Sequence, residues 1–281
     1  MELKIKNENL PVFKDAIKLV SSIIDEANFK ALKDGIHLRQ PDRASACLLD
    51  FHASNSFFEE YKTDNDETLG VNLTDFNQRF RNFSNSVTID NKTKRQISIR
   101  EISEGRKRRV GLPLLELEDT NLPVEQFKYE MEFILETNIF KTIIRDVELS
   151  TDAITFELNN GKLKIHSGGS AIEEGDAELE LTESPIFKIF KKSDKKIVST
   201  YPLQYIKKFT EGPISEVMKM SLTGSGQPIK IEQTGDKIKL EMYLAPRVME
   251  EGEDVEADSE KVKEPEGEED EVYDTATEGG D

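Results

Sequence analysis

Two stretches decide the fold: VFKDAIKLVSSIIDEANF at 12–29 and IFKTIIRDVELSTDAITF at 139–156. Laid over each other at a spacing of 127, they bring Phe13 onto Phe140, Lys14 onto Lys141, Ile17 onto Ile144, Val20 onto Val147, Asp25 onto Asp152 and Phe29 onto Phe156. In both copies apolar residues recur three or four apart, as on one face of a helix, and then give way to the alternation of a strand. Self-similarity at a fixed period marks a duplicated unit.

Farther out, LTDFNQRFRNF (73–83) and TYPLQYIKKFTEG (200–212) form a second helical pair. At a spacing of 126, Phe80 falls on Ile206, Phe83 on Phe209 and Arg81 on Lys207. Thr74 and Thr200 are the candidate helix caps. The runs RQISIREI (95–102), KLKIH (162–166) and AELEL (177–181) alternate, and PIKIEQTGDKIKLEMYL (228–244) reads as two strands about a Thr-Gly-Asp turn. The expected fold is α+β, with two similar domains of two helices packed on antiparallel sheet. The domains span 1–116 and 132–249, joined by a connecting loop at 117–131.

The chain has 281 residues and a net charge of −18. Sixteen acidic residues against Lys261 and Lys263 place about −14 of that charge in 250–281, leaving only about −4 for the body. That tail has almost no large apolar side chains and is expected to be disordered. No run approaches bilayer length, and MELKIKNENL lacks the layout of a signal peptide, so the chain reads as soluble, cytoplasmic and free of membrane partners. Cys47 stands alone, and with it the scattered His37, His52 and His166 point away from a disulfide or a metal site.

The outward faces of the four helices carry Lys14 and Lys18, Arg79 and Arg81, Lys141 and Arg145, and Lys207 and Lys208. Cations on helices, without base-reading groups, suit sequence-independent phosphate contacts; the alternative is an ordinary solvated face. Asp15, Glu148 and Glu211 interrupt the pattern.

Several strings, in order, then resemble one family: Asp42-Arg43-Ala44-Ser45-Ala46, Gly70-Val71-Asn72-Leu73-Thr74, Arg108-Arg109 with Leu112-Pro113-Leu114-Leu115-Glu116, Leu122-Pro123, and Tyr243-Leu244-Ala245-Pro246-Arg247. The chain over 1–249 resembles the sliding clamps of the proliferating cell nuclear antigen family in their archaeal form. The resemblance implies a closed trimeric ring around duplex DNA, with the helices lining the hole, and it implies no cofactor and no catalysis. It also implies a seam where main chain around Arg109, Leu112 and Leu114 pairs with that around Glu178 and Glu180 of the next subunit. Partner motifs would dock on Ser45, Ala46, Leu122, Pro123, Phe127, Pro228, Tyr243, Leu244, Ala245 and Pro246. The implied partners are two further clamp subunits, identical or distinct, a clamp loader, DNA polymerase, flap endonuclease and DNA ligase. Phe127 would either wall that pocket or pin the connector to its own domain. Gln78, Leu149 and Glu211 stand where some relatives carry a basic residue or histidine, and Ser45 where some carry a larger one.

An enzyme is the competing class. Carboxylates are concentrated in the tail, where an unstructured chain cannot fix a metal, Gly224-Ser225-Gly226 reads as a turn between strands rather than a phosphate loop, and His166, followed by Ser167-Gly168-Gly169, ends a strand without a convincing nucleophile-and-base pair. A clamp-like scaffold, or a clamp relative acting in damage signalling in a heteromeric ring, is the remaining alternative. The tail repels DNA, contacts the loader and partners, or is merely solvated.

Overall fold

A computed structural model describes residues 1–93, 95–119, 127–159, 162–168, 177–191 and 195–247. The chain runs β1 (Glu2–Ile5), α1 (Leu10–Ile23), β2 (Glu26–Leu32), β3 (Gly35–Pro41), β4 (Cys47–Ser54), a 3-10 turn (Asn55–Phe57), β5 (Glu60–Lys62), β6 (Glu67–Asn72), α2 (Leu73–Phe80), β7 (Val87–Asp90), β8 (Gln96–Ser103) and β9 (Arg106–Pro113). It continues with β10 (Met131–Glu136), α3 (Thr137–Glu148), β11 (Ala153–Asn159), β12 (Lys162–Ser167), β13 (Glu178–Leu181), β14 (Phe187–Lys191), β15 (Ile197–Pro202), α4 (Leu203–Glu211), β16 (Val217–Leu222), β17 (Ile229–Gly235) and β18 (Ile238–Leu244).

The strands form three antiparallel sheets: β5-β1-β7-β8-β9, β13-β12-β11-β15, and a nine-stranded sheet β14-β10-β16-β17-β18-β4-β3-β2-β6. The long sheet carries strands from both copies. Its middle pairing runs from Ile238 opposite Ala53 to Leu244 opposite Cys47, so the last strand of the second copy hydrogen-bonds to the first. Along β4 and β18 every second residue is buried, the period-2 signature of a sheet with one face on the core.

The repeat has a structural counterpart. Leu73 N–H, opening α2, donates to Asp25 O at 2.8 Å, and Leu203 N–H, opening α4, donates to Asp152 O at 2.8 Å. The aspartate after the first helix of each copy thus satisfies an otherwise orphaned amide at the start of the second. Every helix buries one apolar stripe, for example Phe13, Ala16, Ile17 and Val20 in α1 and Phe140, Ile143, Ile144 and Val147 in α3. Phe13 lies at an aromatic centre, with the rings of Phe51, Phe57, Phe58 and Phe80 between 5.6 and 6.3 Å away.

Both threonine caps are corrected. Asn72 caps α2, its side chain accepting from Asp75 N–H at 2.8 Å, while Thr74 lies exposed inside the helix. Thr200 belongs to β15 and exchanges a 2.8 Å hydrogen bond with Thr155; Pro202 precedes α4 and offers no side-chain cap. The β17–β18 turn is one residue later than expected: Gly235 still pairs with Ile238, leaving Asp236 and Lys237 as the loop, with Lys237 at φ 60°.

Gly70 explains the Gly-Val-Asn-Leu-Thr string. The chain leaving β9 crosses β6 there, with Leu115 N–H donating to Gly70 O at 2.9 Å, and a Cβ on residue 70 would sit 2.2 Å from Leu115 O. Only glycine admits that approach.

Candidate functional site: helix face, outer groove and sheet edges

The helices lie side by side. α1 packs against both α2 and α4, and α4 against α3, giving the lateral order α2, α1, α4, α3. Of the eight cations expected on their free face, Lys18, Arg81, Lys141, Arg145 and Lys208 have no hydrogen bond or ion pair to their side chains among the described residues. The other three are committed within the chain. Lys14 Nζ donates to the carbonyls of Arg81, at 3.0 Å, and Phe83, so it holds the C-terminal end of α2. Arg79 pairs with Asp75 one turn back at 2.6 Å. Lys207 pairs with Glu148 of α3, and that hydrogen bond raises its pKa. Glu148, Asp152 and Glu211 line the same crevice as Lys207, Lys208 and Leu149, the last 88% exposed, so the α3–α4 end of the face is close to neutral.

Behind the helices, the loop between β3 and β4 is organised by Asp42. Its carboxyl oxygens accept from Ala46 and Cys47 N–H, both at 2.8 Å, and from the Tyr205 hydroxyl of α4 at 2.6 Å. Next to this loop the terminal string continues the β18–β4 pairing, with Ala245 N–H donating to Ala46 O at 2.9 Å. Arg247 N–H then donates to Thr200 O at 2.8 Å, and its guanidinium takes both Asp152 oxygens. The Phe127 ring lies 6.5 Å from that of Tyr243, both half-buried, on the outer face of the long sheet. Ser45 is exposed at φ 55°, and Ala46, Pro228, Ala245 and Pro246 are half-buried. Leu244 is fully buried, so its side chain belongs to the core and not to a groove wall. That follows from the strand period, which turns Tyr243 out and Leu244 in. Leu122 and Pro123 lie outside the described residues, as does the acidic tail.

Among the described residues the strands expected at the seam are both sheet edges: β9 pairs only with β8, and β13 only with β12. On β9, Arg109 donates to Ser98 Oγ at 2.9 Å and Leu114, just beyond it, is half-buried; Leu112 is 1% exposed and is available through its main chain alone. On β13, Glu178 and Glu180 face Lys164 at 3.0 Å and Lys162 at 2.8 Å. The edges carry opposite charge, Arg106 to Arg109 on one and two glutamates on the other.

Residues 1–125, through the whole of the first copy, match the family described as proliferating cell nuclear antigen, N-terminal domain. Over residues 1–125 the chain carries the N-terminal domain of the proliferating cell nuclear antigen (PCNA) family, and across its folded length it is similar to sliding clamps. Among curated relatives, the DNA polymerase sliding clamp of Thermococcus fumicolans is 26% identical, covering 88% of this chain and 99% of its own. That of Nitrosopumilus maritimus is 28% identical over 84% and 94%. Among solved structures, PCNA from Entamoeba histolytica superposes with a TM-score of 0.77 at 22% identity, covering 88% of this chain and 98% of its own. A chain of the PCNA2-PCNA3 complex of Sulfolobus tokodaii gives 0.76 at 22% identity over 88% and 99%. The expected α+β clamp fold is therefore the fold observed. The names of these relatives support the sliding-clamp reading over the enzyme.

Two features escaped the sequence. Lys230, Lys239, Glu232 and Glu241 form an ion-pair network on the outer face of β17 and β18, with N–O distances of 2.6 to 3.3 Å. His37 and His52, far apart in sequence, sit directly opposite each other on β3 and β4. Reading that pair as a hairpin would have placed the two imidazoles together.

Proposed function

We propose that this chain is one subunit of a closed three-subunit ring through which duplex DNA passes, tethering DNA polymerase and other replication and repair enzymes to it. The observation that carries this reading is the unbroken row of four amphipathic helices with five uncommitted cations on its free face, backed by sheet. Such contacts hold phosphates without reading bases and allow sliding. The ring would close by pairing of the basic edge β9 with the acidic edge β13 of the next subunit, which removes both open edges. We place the domain boundary in 117–131, just after the chain has left β9 and crossed Gly70 at Leu115.

Flap endonuclease and DNA ligase, like the polymerase, would dock short hydrophobic motifs over Ser45, Ala46, Phe127, Pro228, Tyr243 and the terminal Ala245-Pro246. An ATP-driven loader would open the ring. A second reading, a ring of distinct subunits, is favoured by the likeness to a chain from a PCNA2-PCNA3 complex. Native mass spectrometry of the purified chain separates them. Three copies per particle support the homomeric ring; a monomer that becomes a trimer only with related chains supports the second. A monomer that joins no other clamp chain overturns both.

A further inference from the structure

We propose that Asp34, His37 and His52 form a binding site for a divalent first-row transition-metal cation of the zinc class on the outer face of the long sheet. The three side chains each offer a ligand atom, and those atoms lie within 4.8 Å of one another. His37 and His52 are direct cross-strand partners, so both point to the same side, and their rings stack with centroids 4.3 Å apart. Asp34 Oδ1 is 3.0 Å from His37 Nε2. His52 Nε2 is buried and has no hydrogen-bond partner among the described residues, a costly state for a nitrogen that can be satisfied by a proton donor, an acceptor or a metal.

Zinc bonds to imidazole nitrogen and carboxylate oxygen are about 2.0–2.2 Å long, which sets neighbouring ligand atoms of a tetrahedral site about 3.3 Å apart. The Asp34–His37 separation already meets that. The remainder must be closed by side-chain rotation, because the backbone is held. Asp34 O accepts from Asn55 N–H at 2.7 Å and Lys33 O from the Asn55 side chain at 3.0 Å, tying the β2–β3 turn to the end of β4. A Cβ at Gly35 would sit 2.1 Å from Ala53 O, so the turn cannot lift without losing that contact. The nearest cations on the same sheet row, Lys30 and Lys239, are neutralised by Asp119 at 2.8 Å and Glu241 at 2.7 Å. Two imidazoles and a carboxylate suit zinc, copper or nickel over magnesium or calcium. Three protein ligands leave a fourth position for water or a partner's side chain.

The test is a titration of the chelator-treated full chain with Zn²⁺ by calorimetry, paired with electron paramagnetic resonance of the Cu²⁺-loaded chain. The expected result is one tight site per chain, with nitrogen hyperfine structure from imidazole. Binding should weaken at least tenfold in His37→Gln and in His52→Ala, and less in Asp34→Asn; His37 is partly exposed, so His37→Gln reports even if His52→Ala folds poorly. Binding unchanged in His37→Gln, or a spectrum with oxygen ligands only, would place the metal elsewhere, for example on tail carboxylates, and overturn the proposal. Absence of tight binding overturns it equally.

Discussion

The Tyr205 hydroxyl of α4 donates a 2.6 Å hydrogen bond to Asp42 Oδ2 in the β3–β4 loop, joining the second copy of the repeat to the first through two side chains. Burial and the neighbouring Asp42 push the Tyr205 pKa up, so the phenol stays protonated and remains a donor. Asp42 also holds Ala46 and Cys47 N–H, so the same carboxyl positions the loop that borders the outer groove. Tyr205→Phe is expected to cost about 1–2 kcal/mol and Asp42→Ala about 2–4 kcal/mol, because the second leaves buried amides unpaired. Urea unfolding checks both, and the larger loss must belong to Asp42.

Gly70→Ala drives a methyl carbon to within 2.2 Å of Leu115 O. The crossing chain must move, and a loss of about 1–3 kcal/mol is expected by analogy with overpacked cores. Hydrogen exchange should show faster exchange at Leu115 N–H, since its bond to Gly70 O is the first to break.

Glu241 is expected to shape the acid limb of stability. Burial pushes its pKa up, but hydrogen bonds and charge from Lys230 and Lys239 outweigh that and hold it at about 2, below the ordinary 4.5. A carboxylate depressed on folding stabilises the native state above its unfolded pKa, and that stability is lost as pH falls toward the folded value. The loss attributable to Glu241 therefore falls between pH 4.5 and about 2. Glu241→Gln should lower stability at pH 7 and flatten the curve in that window, measured by thermal melts across the range.

The basic helix face divides into free and committed cations, and their variants should differ. Charge reversal at Lys18, Lys141 and Arg145 is expected to weaken DNA binding and lower its salt dependence while leaving the melting temperature nearly unchanged. Lys14→Glu should instead destabilise the fold, because Lys14 holds the carbonyls ending α2. Filter binding at several salt concentrations, with melts of each variant, separates the two classes.

What was legible in the sequence follows interaction range. The 127-residue repeat exposed α1 and α3 because a helix buries a stripe set by neighbours three and four apart. Alternation likewise located β8, β12, β13, β17 and β18. The Thr74 cap failed because Asn72, two residues earlier, accepts the Asp75 amide, a choice that depends on where β6 ends. The paired state of Lys14 and Lys207 was hidden, since Phe83, just beyond α2, and Glu148 of α3 reach them from other parts of the chain. The His37–His52 pairing depends on strand register, which periodicity alone does not reveal. Leu244 was assigned to the groove by its string, whereas the strand period sends it into the core.

The most direct test of the ring is topological. The chain is loaded onto nicked plasmid circles with a clamp loader, separated from free protein, and the circles are then cut once. Retention that persists on circles and disappears on linear DNA is the predicted result. Equal retention on both forms would mean that contacts alone hold the protein, contradicting a subunit that encircles its DNA.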